Sequence, residues 1–167
     1  MSALGTVGKM LQNSLSRGGA KRTKKNPAPE LEKGTFDYIS EPKSDYFSVG
    51  FAKTDVMPDD MDKTTYYVAG YKINNPAKGA LDPMTASAIW IDDQSGRGGV
   101  VFVSIDDIGL TNYDVGIIRD LLADFKKETG CRSINIMSIH NHASIDTVGF
   151  WGPLPRSGRN KKYMEML

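Results

Sequence analysis

Apolar and polar positions divide the chain into two regimes. From Tyr46 the pattern is globular. Tyr46 to Ala52 reads as a strand with mixed alternation, closed by a Met57-Pro58-Asp59-Asp60 turn. Tyr66 to Tyr71 is a short apolar segment, and Asn74 to Gly79 is a loop of turn formers. Thr85 to Asp92 predicts a second strand. The glycine-rich stretch Asp93 to Gly99 predicts a hairpin into Val100–Ile105, a continuous apolar run of the kind buried on both faces. Before Tyr46 the pattern thins. Leu4, Val7, Met10, Leu11 and Leu15 recur at helical spacing, but Gly18, Gly19 and a Lys-Lys-Asn-Pro-Ala-Pro run follow. Isolated helices shorter than about 12–15 residues are marginal, so residues 1–45 are expected to form a disordered basic tail and residues 46–167 one domain.

The best-punctuated element is a helix after the apolar run. Thr111 can cap it, with Asp114 three residues on as the reciprocal partner. Val115, Ile118, Leu121, Leu122 and Phe125 form its apolar stripe, Lys126 and Lys127 suit the negative end of its dipole, and Gly130 suits the residue that ends it. Another strand follows from Ser133. The expected fold is α/β: a mixed sheet with a hairpin and a parallel β-α-β unit.

Parallel strands end on the same edge of a sheet, and ligand sites of open α/β sheets gather there. Asp106 and Asp107 end one strand of this unit. The other runs into His140 and His142, the chain's two histidines. Side chains alternate along a strand, so the two imidazoles share a face if the strand persists through them, and can then meet one metal ion. If the strand stops at Ile139, they stand where it opens into a loop carrying Ser144, Asp146 and Thr147. The plain alternative is that His-x-His is a polar strand end. For Asp106 and Asp107 it is loop capping and solvent exposure.

Composition narrows the chemistry. Hydrophobic content of 40% and net charge of +1 fit an ordinary globular protein and give no global field for nucleic acid. The single cysteine, Cys131, excludes a cysteine-rich zinc site and reads as an inert thiol. No secretory signal core is present, which makes cytoplasmic the default. Lys9, Arg17, Lys21, Arg22, Lys24 and Lys25 precede the first acidic residue, Glu30, so the remainder is net negative. Lys21, Arg22, Lys24 and Lys25 are the expected site of any peripheral membrane contact.

Four blocks resemble the N-terminal catalytic part of the neutral/alkaline, non-lysosomal ceramidases. They are Val49–Pro58; Gly79–Ala88, around Leu81-Asp82-Pro83; Val101–Leu110, with its Asp-Asp-Ile-Gly-Leu end; and His140-Asn141-His142-Ala143-Ser144, continued by Asp146-Thr147-Val148-Gly149-Phe150-Trp151-Gly152. The resemblance spans roughly Phe47 to Gly152. It implies a zinc-dependent hydrolase of the N-acyl bond of a lipid amide. His140 would be a zinc ligand. His142 would be catalytic beside the metal, as a second ligand or a hydrogen-bonding group. Asp107, Asp146 and Ser144 would support them. The family's further ligands lie downstream of the matching blocks, so the chain is expected to be the front part of a larger catalytic domain.

Two alternatives come from the residues themselves. His140, His142 and a carboxylate from Asp106, Asp107 or Asp146 could form a local metal site. The chain could instead be a non-catalytic α/β module bound through its basic tail. A nuclease reading of His-Asn-His fails, because nuclease histidines of that kind are dispersed and the body is net negative. Gly96-Arg97-Gly98-Gly99 precedes a strand rather than a helix, so it is a turn and not a phosphate loop.

Overall fold

The computed structural model describes residues 37–167, together with Lys24. The elements are β1 (Ser48–Asp55), β2 (Thr85–Asp92), β3 (Val100–Ile105), α1 (Asn112–Leu121), α2 (Ala123–Thr129), β4 (Ser133–Ser138) and α3 (Lys161–Met166). One sheet holds all four strands in the order β1-β2-β3-β4; only β3 and β4 run parallel. This is the mixed α/β sheet, with its hairpin and β-α-β unit, that the pattern predicts. The first strand starts at Ser48 rather than Tyr46. Of the basic cluster expected to touch membranes, Lys24 is exposed, while Lys21, Arg22 and Lys25 lie outside the described residues, as do Leu4 to Leu15.

Strand register decides what each face does. Trp90, Val101 and Ile134 lie in one row across β2, β3 and β4. Val101, Ile134 and Cys131 form a buried cluster, closed by Leu122 and by the Trp90 ring standing edge-on to Phe125 at 6.2 Å. The helices therefore cover this face. The opposite face carries the row Phe51, Ile89, Phe102, Asn135. Here the expectation for β3 is overturned: Phe102 is exposed, so the strand is buried on one face only.

The predicted single helix is two. Its start follows the sequence: Thr111 Oγ1 accepts from the Asp114 backbone N–H, while the Asp114 carboxylate accepts from the Thr111 backbone N–H and hydroxyl. The helix breaks at Leu122, and a second segment ends at Gly130, whose φ of 70° is left-handed. That conformation costs glycine little and lets the chain turn directly into β4.

A second apolar cluster lies under the edge where β3 and β4 end: Val56, Tyr66, Met84, Ile145 and Tyr163. Tyr66 donates to Asp60 at 2.6 Å, and Lys162 of α3 reaches the other Asp60 oxygen. Together they hold the Asp60 carboxyl down at about 2, while burial, with the Asp60 bond, lifts the Tyr66 phenol to about 12. These bonds fasten α3 to the loop before Tyr66.

Arg159 makes the stronger fastening. Its guanidinium grips both oxygens of buried Asp114 and donates to the Thr147 carbonyl. Burial opposes ionisation of Asp114, but Arg159 and Thr111 outweigh it and keep the carboxyl below its ordinary range. Removing one partner of a buried ion pair strands the other charge, at a cost of about 3 kcal/mol. Arg159→Met is expected to lower unfolding free energy by about that amount, read from the denaturant midpoint; a change under about 0.5 kcal/mol would mean that the pair holds nothing.

Candidate functional site

Both histidines lie beyond β4, which ends at Ser138. The picture of two imidazoles alternating on a continuing strand is therefore replaced. His140 takes a left-handed φ of 64°, an uncommon conformation for a residue with a Cβ, which needs its surroundings to hold it.

The holding bonds fall on three consecutive carbonyls of the turn after β3. Asn141 N–H donates to Asp107 O at 2.7 Å, His140 Nδ1 to Ile108 O at 2.8 Å, and Thr147 Oγ1 to Gly109 O at 2.6 Å. The predicted convergence of the two strand ends is thus real, but main-chain oxygens of 107–109 make it rather than carboxylates. This twist of the loop, not strand alternation, turns both imidazoles to one side. Their Nε2 atoms stand 3.1 Å apart, with ring centroids at 4.8 Å.

The bonds also assign protons. A carbonyl only accepts, so His140 Nδ1 carries the hydrogen and its Nε2 is a lone pair. His142 Nε2 then donates the N–H between the rings. His142 Nδ1 is buried without a partner, which fits a bare lone pair better than an N–H, since an unmet donor is the costlier orphan. Facing it is Gly70, at φ 110°; a Cβ there would come within 2.5 Å of His142 Nδ1. Tyr71 leans on the His142 ring at 4.8 Å and is otherwise exposed.

Pattern and spacing alone do not mark Gly70 and Tyr71 as site residues. They reach the site because their loop is sewn to the histidine loop. Ala69 N–H donates to Ser144 O, Asp146 N–H to Tyr67 O, Asn74 N–H to Trp151 O, and Trp151 Nε1 to Gly70 O. The glycine-aromatic pair in an apolar segment was the one available signal, and it named no partner.

The expected supporting residues separate by role. Ser144 is buried, and its hydroxyl closes a turn onto Asn141 O. Asp146 is wholly buried and accepts backbone N–H bonds from Val148, Gly149 and Trp151. Both shape the loop, and Asp146 has its charge spent on backbone. Asp106 is likewise engaged, accepting from the Thr85 backbone and hydroxyl. Asp107 differs. It is 1% exposed, and its carboxyl oxygens lack a well-formed hydrogen bond, the Ser138 hydroxyl being close enough only to ease the charge. Burial raises its pKa and the charges of Asp106 and Asp114 add to the rise, although the Ser138 hydroxyl works against it. Burial, then the Asp107 charge, also pushes the Tyr163 phenol up.

Among the described residues, no three His, Cys, Asp or Glu side chains gather where they could hold a metal ion. The edge offers one lone pair, His140 Nε2, and one adjacent N–H on His142. They meet each other, since the His142 N–H is donated to the His140 lone pair at 3.1 Å, and a cavity of about 340 Å³ lies at the opposite end of the sheet, beside Ile39, Cys131 and Arg132. Compared with protein-family models and with curated proteins, the chain matches none.

The orphaned Asp107 gives a pH signature. A carboxyl whose folded pKa is raised contributes full stability below the ordinary value of about 3.9 and loses it as pH climbs through the folded value. Asp107→Asn should therefore gain on the wild type as pH rises above about 4, by about 1–3 kcal/mol in denaturant unfolding. A difference between the two proteins that does not vary with pH would contradict an uncompensated carboxyl.

Proposed function

We propose that this chain carries part of the centre of a zinc-dependent amide hydrolase of the neutral ceramidase type, acting on the N-acyl bond of a lipid amide. The observation that carries the reading is the paired imidazole edge, with His140 Nδ1 anchored on a backbone carbonyl and Nε2 turned toward His142 Nε2. An imidazole whose second nitrogen is fixed in this way is the usual form of a metal-binding histidine. The four blocks that resemble the ceramidases include this edge.

The donor set fits zinc in kind, since a neutral imidazole Nε2 is a standard zinc ligand. It fits only partly in number: catalytic zinc normally takes three protein ligands, and the described residues commit one. Zinc would polarise the scissile carbonyl and make water a nucleophile near neutral pH. His140 would hold the metal through Nε2, in place of the hydrogen bond that this nitrogen accepts from His142. His142 keeps its proton on Nε2, because Nδ1 is walled in by Gly70, and once released from His140 would donate it to an oxygen that gains negative charge. Tyr71 packs against that ring. Asp107 stays behind the loop and supports it through its carbonyl, which Asn141 holds.

Zinc binding followed by calorimetry, with hydrolysis of an N-acyl lipid amide assayed in parallel, tests this. His140→Ala is expected to weaken zinc binding at least tenfold, whereas His142→Ala retains zinc and loses about 100-fold or more in any turnover. A wild-type chain that neither takes up zinc nor hydrolyses the amide would overturn the reading, as would zinc binding indifferent to His140.

A further inference from the structure

The sheet face turned away from the helices has no cover among the described residues. Val49 is 67% exposed, Phe51 70%, Ile89 43%, Phe102 40% and Met137 46%, and Phe47 is exposed just before β1. They are not scattered. The row Phe51–Ile89–Phe102–Asn135 lies beside the row Val49–Ile91–Val100–Ser133. On the other flank runs Lys53–Ser87–Ser104–Met137. An apolar centre with a polar flank is the composition of an interface rather than of ordinary surface.

We propose that this face is the contact between two copies of the chain, packed sheet on sheet about a two-fold axis. Width argues for a sheet as the occupant. Four strands at about 4.8 Å spacing make a face about 19 Å across. A single helix, about 10–12 Å in diameter, leaves nearly half of it wet. A second four-stranded sheet covers it from edge to edge at the usual separation of about 10 Å. Area argues the same way. With aromatic side chains carrying about 150–250 Å² each, the exposed apolar residues present on the order of 600–800 Å². A stable interface takes about 800 Å² from each partner, and a two-fold axis matches the patch to itself. The histidine edge and the helix face lie outside the contact, so both copies keep their imidazole pairs open.

Sedimentation velocity on the full chain across a concentration series tests this. A concentration-dependent dimer is expected. The double variant Phe51→Lys/Phe102→Lys should raise its dissociation constant about 100-fold or more. Both side chains are exposed, so circular dichroism of the variant should stay native. Leu121→Lys, an exposed apolar position on α1, should leave the dimer intact. A wild type that stays monomeric at every concentration overturns the proposal, as does a dimer indifferent to the double variant. A monomer that dimerises only when residues 1–36 are deleted also overturns it, since the chain's own start would then be the cover.

Discussion

Three consecutive carbonyls set the geometry of this molecule's reactive edge. Asp107, Ile108 and Gly109 leave β3 with their oxygens available, and the loop after β4 delivers one donor to each. Parallel pairing of β3 with β4 brings the two loops side by side. The bonds then force His140 into a left-handed turn that the residue would not choose alone. Without the turn, His140 and His142 would be two surface imidazoles. With it, they are a pair whose protons are assigned by what each buried nitrogen meets.

That arrangement needs a rigid frame, and the polar groups behind it supply one. Asp146 gathers three backbone N–H groups into the bend after the histidines. Arg159 ties the same loop, through Thr147, to the start of α1. Satisfied buried polar groups of this kind fix a unique conformation more than they add net stability. Asp107 stands apart: its main chain serves the loop while its buried carboxyl lacks a well-formed hydrogen bond. A group placed for its backbone, at some electrostatic cost, is consistent with a strand end selected for the edge it builds.

Much of the fold was legible because it rests on side-chain pattern. The Thr111–Asp114 cap, Gly130, the hairpin at 93–99 and the β-α-β order all have local signatures. The split at Leu122 had none, since its apolar stripe runs on unbroken. The open face is not legible for a physical reason: a run such as Val100–Ile105 looks the same whether its second face meets a helix, another subunit or water. At the edge, the histidines and their convergence with the aspartates could be inferred from topology. The bonding could not, because it runs through main-chain oxygens of Asp107, Ile108 and Gly109, and through Gly70, a residue that acts by having no side chain. Sequence names side-chain chemistry; it says little about which carbonyl a loop will present.

The reactive edge depends on where the protons sit in the paired imidazoles. Long-range proton–nitrogen correlation spectra of uniformly nitrogen-labelled protein, above the histidine titration range and without added metal, read it directly. The expected spectrum shows His140 protonated at Nδ1 and bare at Nε2, with His142 protonated at Nε2. Finding His140 as the Nε2–H tautomer, or both rings averaging freely between tautomers, would show that the carbonyl of Ile108 does not hold the ring and that the pair is an accident of the surface.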